Sequence, residues 1–355
     1  MQRTTSVPLP MAVEELTAEW LTTALSIRQP GVVVSSVVVE HIIWGTATKI
    51  LVSVDYRDSP APGGPPSRLC VKGGFDAGVR ELAMSSAYVR EADFFDQVAP
   101  GLRIPLPRCW YTGRDEEQGQ GIIVLDDLAA TGCTFGEPTE PWPADRVAAA
   151  LEVLAGLHAA TWGADRERHP WLSEVSPVRQ VADFFFTPGY WDRHFGGDDG
   201  PPAPAALLDR ELVRDAFHAL WRIEDSAVAS ISHGDPHLGN AYLDTAGRPA
   251  FLDWQGVCAA PPMDDVAYLI AGALTVQDRR ASERDLVGHY LDARGAAGAP
   301  GSEFDTEWLD YRRHHLHGFL WATTGPMMQP RDRVFAMAER HIAAIEDHDT
   351  LALLR

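Results

Sequence analysis

The run His233-Gly234-Asp235-Pro236-His237-Leu238-Gly239-Asn240, with Asp253 thirteen residues beyond it, carries the densest chemistry of the 355-residue chain. An aspartate, an asparagine five residues later and a second aspartate across a turn can converge on one point. These are the residue types that phosphorylation of a hydroxyl requires. One carboxylate orients the alcohol and accepts its proton, while an amide oxygen and another carboxylate hold Mg²⁺ against nucleotide phosphates. Phosphoryl transfer asks little covalent chemistry of a protein, so placement and charge do most of the catalysis. Asp235 and Asn240 taken alone also fit Asx residues that cap a loop.

HGDPHLGN followed by LDW resembles the HGDxHxxN…D signature of aminoglycoside phosphotransferase-like kinases, and especially their ecdysteroid-kinase-like branch. VKGG at 71–74 looks like the strand that carries the phosphate-gripping lysine, Lys72. Glu91, within READFF and 19 residues after Lys72, looks like its helix partner, with Glu81 the alternative on the same predicted helix. IVLDDL looks like the hinge strand, and LHAATW and DDVAYLIAGAL are similar to helices of the family's larger lobe. The resemblance implies a two-lobed, protein-kinase-like α/β (α+β) fold with a small β-rich N-lobe and a larger helical C-lobe. It also implies Asp235 as catalytic base, Asn240 and Asp253 as Mg²⁺ ligands, Lys72 as a ligand of the ATP phosphates, and backbone groups of Asp126, Asp127 and Leu128 facing adenine.

The phosphate-covering loop departs from the family pattern, because WGTATK offers one glycine, Gly45. Either Thr46, Thr48 or Lys49 helps to hold phosphates, or the loop is a plain hairpin turn. His233 is expected to be structural, and His237 either braces the loop or touches phosphate. Asp265 is expected to cap the following helix or brace the catalytic loop, and Asp264 to be solvated.

The elements that must position these groups follow from periodicity. Apolar residues in 13–26 fall at helical spacing, whereas 31–55 holds β-branched runs that predict two strands. The Pro/Gly-rich segment 58–67 reads as a loop, 68–72 as a short strand, 78–97 as helical and 121–128 as a buried strand. Residues 145–162 form a helical stripe, and 163–205 is loop-rich and aromatic, an inserted lid or a crossing helix. Helices are expected over 206–227, 263–275, 280–293, 305–323 and 331–354, and 231–257 reads as a polar hairpin. These segments divide the chain into a nucleotide-binding lobe, 1–127, and a helical lobe, 128–355, that carries the acceptor pocket.

Thirty basic residues stand against 50 acidic ones, a net charge of −20. That charge repels phosphate backbones and anionic lipid, which argues against nucleic acid and membranes as partners. Lys49 and Lys72 are the two lysines among those 30 basic residues, so an amine at these positions answers a specific need. Four scattered cysteines without a CxxC pair predict reduced thiols, and the opening residues lack a signal-peptide pattern. A cytoplasmic protein, monomeric or homodimeric, is expected.

The acceptor pocket is expected between the catalytic loop and the C-terminal helices, lined by Phe184–Phe186, Trp191, His314, His315, His317, Trp321, Met327 and Met328. This lining and the ecdysteroid-kinase resemblance point to an apolar, steroid- or terpenoid-like alcohol, while the net acidity points to an aminoglycoside-type acceptor. Two other classes compete. GDPH…GN is similar to elements of metal-dependent phosphohydrolases, but no downstream GHxH follows it to complete a second metal's ligands. A non-catalytic nucleotide-binding scaffold would be expected to have lost the base or a metal ligand, and all three are present.

Overall fold

A computed structural model describes residues 8–80, 85–165, 167–173, 175–195, 200–322 and 329–355. The chain forms two compact units, one of Met1–Gly101 with Leu106–Thr134, the other of Leu102–Pro105 with Phe135–Arg355. Mixed α/β architecture, with a small antiparallel sheet in the first unit and helices dominating the second, matches the expected fold class.

The first unit is built on five antiparallel strands, β1 (Val34–Ile43), β2 (Thr48–Tyr56), β3 (Arg68–Gly73), β4 (Cys109–Asp115) and β5 (Gln120–Asp126), in the order β1-β2-β3-β5-β4. Strand β2 alternates buried and half-buried residues, as a strand with one face on a core must. Its buried Ile50 and Val52 join Leu69, Val71, Ile122, Val124 and Leu21 in one apolar cluster. Strand β4 follows a proline-rich segment; Pro105 and Pro107 both precede the strand, where a missing N–H costs no ladder bond.

The predicted first helix divides in two. A single 3-10 turn, Val13–Glu15, precedes α1 (Ala18–Ser26), because the Thr17 hydroxyl accepts the Trp20 N–H (3.1 Å) and caps a new helix there. The predicted helix over 78–97 contains a single turn, α2 (Ala77–Val79), then α3 (Ser85–Asp93), which runs on into the wider winding of Phe94–Val98.

Helices α4 (Ala144–Ala160), α5 (Pro177–Phe185), α6 (Pro188–His194), α7 (Ala205–Leu208) and α8 (Arg210–Glu224) lead into the catalytic segment. Helices α9 (Met263–Ala273), α10 (Val276–Ala296), α11 (Phe304–Arg313), α12 (His315–Ala322), α13 (Arg331–His348) and α14 (Thr350–Leu353) follow it. Every residue of α9 is buried, so it is the helix around which α4, α10, α12 and α13 pack. The aromatic stretch, for which a lid or a crossing helix was expected, forms α5 and α6, whose Val178, Phe185, Tyr190 and Trp191, with Phe186 between the two helices, join Phe217 and Phe319 in one core. The four cysteines are unbridged, and no described helix is long and apolar enough to cross a membrane.

Close approach between α3 and β5 sets the geometry of the first unit. A Cβ on Gly121 would lie 2.2 Å from the Tyr88 carbonyl oxygen, so only a residue without a side chain lets the helix backbone come this near. Gly121→Ala is therefore expected to push α3 outward and destabilise the protein by about 1–3 kcal/mol, measured by urea unfolding.

Candidate active site

The predicted polar hairpin is two nested ladders. Ser230–Ser232 pairs with Cys258–Ala260, and inside it Ala241–Leu243 pairs with Pro249–Phe251. The outer ladder delivers His233, Gly234 and Asp235 at the end of one strand, and the inner turn carries Asn240 and then Asp253.

Gly234 has φ +79°, and a Cβ there would stand 2.2 Å from the Gly256 carbonyl oxygen. The backbone preceding Asp235 thus lies directly on the backbone following Asp253, which brings the two carboxylates to one locality. Asp253 itself sits at φ 66°, in the left-handed region that non-glycine residues seldom occupy. Such conformations persist where the surrounding structure over-determines them, commonly at functional sites.

The Asp235 carboxylate is held from several sides. Asn240 Nδ2 donates to Asp235 Oδ2 and to its backbone oxygen, both at 3.0 Å. The Tyr268 hydroxyl donates to Oδ1 at 3.0 Å, and His237 Nε2 lies 3.6 Å from Oδ2. Burial pushes the carboxyl up to about 7; the Asp253 charge adds to the rise, while His233 and the Tyr268 hydroxyl oppose it. The side chain nevertheless keeps 30% of its exposure, so a reactant can reach it.

Asp265 braces the loop rather than capping α9, whose N-cap residue is Pro262. Its Oδ2 accepts the His233 N–H (2.7 Å) and its Oδ1 the Gly234 N–H (2.9 Å). Burial alone would raise its carboxyl; His158 and the Gly234 N–H outweigh that and hold it below the usual carboxylate range. His158 links Asp265 (Nε2 to Oδ2, 3.1 Å) to the Tyr290 hydroxyl (Nδ1, 2.9 Å). His233 and His237 have both ring nitrogens facing loop groups. His233 accepts the Asp235 N–H at Nδ1 (3.3 Å) and donates from Nε2 to the Leu252 oxygen (3.0 Å), while His237 Nδ1 accepts the Gly239 N–H (3.0 Å).

In the first unit, Lys72 Nζ lies 2.7 Å from Glu91 Oε1, with both side chains only 4% exposed. Glu81 lies outside the described residues. Lys49 is the register partner of Lys72 on β2. In the β1–β2 turn, Gly45 is exposed and a Cβ there would meet nothing nearer than 3.6 Å, so packing does not require glycine at this position. The Thr46 carbonyl accepts the Tyr88 hydroxyl, and the buried Thr48 hydroxyl has no hydrogen-bond partner.

Along the hinge strand, the Asp126 carboxylate accepts the Trp110 indole N–H (2.7 Å), and Asp127 pairs with Arg68 (3.2 Å) while capping its own turn through Ala130 N–H. The backbone N–H groups of both aspartates donate to the carbonyls of Arg108 and Arg68. Among the described residues, Leu128 is the one of the three hinge residues whose N–H donates to no other backbone carbonyl.

The expected acceptor lining is corrected in part. His315 is fully buried, stacked on His348 (centroids 4.9 Å) and edge-on to Tyr311 (4.6 Å), so it belongs to the core. His314, Phe185, Phe186 and Trp191 are likewise buried, whereas Phe184 is 56% exposed. Trp321 and His317 do reach the catalytic loop, donating to the Gly234 carbonyl at 3.2 and 3.1 Å. Met327 and Met328 lie outside the described residues. Asp264, expected in solvent, is 1% exposed beside His317. The sequence reading gave no role to Tyr268, His158 or Tyr290; for Tyr268 the available signal was its i+3 position after Asp265, which puts both on one face of α9.

A search of curated proteins finds no match for this sequence. Among solved structures, the GDP and kanamycin complex of APH(2")-IIia is similar in fold at 13% identity, with a TM-score of 0.50, covering 93% of this chain and 98% of that one. The Plasmodium vivax ethanolamine kinase is similar at 12% identity with a TM-score of 0.51, covering 87% of this chain and 80% of its own. LicA in complex with AMP is similar at 14% identity with a TM-score of 0.50, covering 91% and 95% respectively. The model of the phosphotransferase enzyme family matches residues 81–308, a span that holds Glu91, the hinge and the whole catalytic segment. The chain belongs to the phosphotransferase enzyme family, and it is a small-molecule kinase.

Proposed function

We propose that this protein moves the γ-phosphoryl group of Mg·ATP to a hydroxyl of a small molecule, with Asp235 as the base. The observation that carries this reading is the Asp235 carboxylate, reachable yet fixed by Asn240 and Tyr268, with Asp253 close by. Asp235 orients the acceptor hydroxyl and takes its proton as the oxygen bonds to the γ-phosphorus and ADP departs. Asn240 commits its amide nitrogen to Asp235, so its Oδ1, with the Asp253 carboxylate, is the oxygen we assign to a hard divalent cation. When bound, Mg²⁺ supplies charge neutralisation and alignment of the nucleotide phosphates. Lys72, locked by Glu91, presents a point charge to those phosphates, and Leu128 is the hinge residue we assign to adenine. A cytoplasmic setting with ATP at hand suits this chemistry.

The acceptor is a small molecule bearing a hydroxyl. The apolar reading loses much of its support, because most of the aromatic residues that suggested it form the core. The names of the similar structures include kanamycin and ethanolamine, so the acceptor screen spans aminoglycosides, amino alcohols and apolar alcohols, with ATP and GTP as donors.

Wild-type protein should release ADP or GDP in an acceptor-dependent way. Asp235→Asn should retain nucleotide binding by calorimetry but lose at least about a hundredfold in turnover, the usual scale of a general base. A fully active Asp235→Asn variant would remove this function. Asp253→Ala should abolish Mg²⁺-dependent nucleotide binding. Lys72→Met removes the buried counter-charge 2.7 Å from the Glu91 carboxylate, and should cost about 3–5 kcal/mol in urea unfolding. Adding Glu91→Leu should recover most of that stability while turnover stays lost.

A further inference from the structure

Beneath the catalytic loop lies a buried group of ionisable side chains that the proposed chemistry does not use: His317 on α12, Asp264 on α9 and Glu224 at the end of α8. His317 Nδ1 is 3.0 Å from Asp264 Oδ1, and its Nε2 is 3.1 Å from the Gly234 carbonyl oxygen. The Gly234 carbonyl only accepts, so Nε2 carries a proton, and the Asp264 carboxyl oxygen beside Nδ1 favours a second proton on the ring. The Asp264 carboxyl is 1% exposed, buried together with the ring.

We infer that His317, charged and seated on Asp264, is a positioning residue that fixes the peptide between Gly234 and Asp235 and so aims the Asp235 carboxylate. The inference rests on the phosphotransfer reading of Asp235. Its geometry is a clamp on one peptide neighbourhood: Asp265 holds the Gly234 N–H, while His317 and the Trp321 indole hold the Gly234 carbonyl from the opposite side. Gly234 occupies the left-handed region that favours glycine, and both its N–H and its carbonyl are engaged there. With its carbonyl released, the peptide could rotate and carry the neighbouring side chain with it.

The charged groups around the ring agree with this state. Burial opposes the charge on His317, and Asp264 overrides it, so its pKa rises to about 9. Glu224 faces the pair from α8, its own carboxyl raised to about 8 by burial and by Asp264. The Tyr268 ring lies 5.8 Å away on α9, and Asp235 feels the His317 charge from the loop. His341, on α13, is pushed down to about 3 by burial, with the charges of Arg340 and His317 adding, and is neutral. A histidine whose pKa is raised on folding keeps its charge through neutral pH and loses it as pH climbs past about 9.

The test is nitrogen NMR of the full chain labelled at histidine rings, with His317 identified by the signals missing in His317→Leu. Both His317 nitrogens should be protonated at neutral pH and titrate together near the value above. In Asp264→Asn the midpoint should fall by about one pH unit or more, a tenfold weakening of the charged form. A ring with one bare nitrogen at neutral pH, or a midpoint unmoved by Asp264→Asn, overturns the inference. With the acceptor found in the screen, His317→Leu should lower kcat about tenfold or more while KM for Mg·ATP stays within about twofold. The alkaline limb of kcat should move to lower pH in Asp264→Asn. Equal losses in kcat and nucleotide affinity, or an unmoved limb, also overturn it. Activity retained in Asp235→Asn instead removes the phosphotransfer reading, whatever the state of the ring.

Discussion

The catalytic segment depends on one close contact, the Gly234 backbone lying against that of Gly256. It brings the Asp235 and Asp253 carboxylates together by pressing two stretches of polar main chain into a buried place. Every N–H and C=O taken there must find a partner, since an unpaired one costs about as much as a lost hydrogen bond. The partners come from far away in sequence: Asp265 for the N–H groups of His233 and Gly234, and His317 and Trp321 for the Gly234 carbonyl. Much of the second unit can be understood as support for those few atoms. Helix α9 is buried along its whole length because it carries Asp264, Asp265 and Tyr268 toward the loop, and the helices around it seal that polar layer from water.

The first unit solves a similar problem with a different device. A lysine and a glutamate 19 residues apart meet in the interior because α3 can approach β5 across a residue without a side chain. A buried ion pair is a weak source of stability, since desolvation offsets most of the attraction. What the pair supplies is a fixed location for an amine. Lys72 is itself buried, on a strand whose Leu69 and Val71 face the apolar core.

The local parts of this design were legible in the sequence. Asp235, Asn240 and Asp253 announce themselves by type and short spacing, and Lys72 stands out in a chain that otherwise uses arginine. The two-unit α/β organisation followed from β-branched runs giving way to helical periodicity. Strand β4 did not, because prolines just upstream masked it. His158, Tyr290 and His317 were unreadable as loop supports, because each acts across many tens of residues and nothing in its neighbourhood marks it. The same blindness worked in reverse for His315: a histidine among aromatic residues suggests a pocket, and three-dimensional packing made it core.

The register of β2 and β3 places Lys49 beside Lys72, on the same side of the sheet. The chain therefore gathers both of its lysine amines in one spot of the first unit, leaving every other surface to guanidinium and carboxylate. Reagents or modifying enzymes that seek amines would converge on the strand that carries the phosphate-binding candidate. Acylation of lysine side chains, which elsewhere reports on a protein's whole surface, would here report on this one pair of strands.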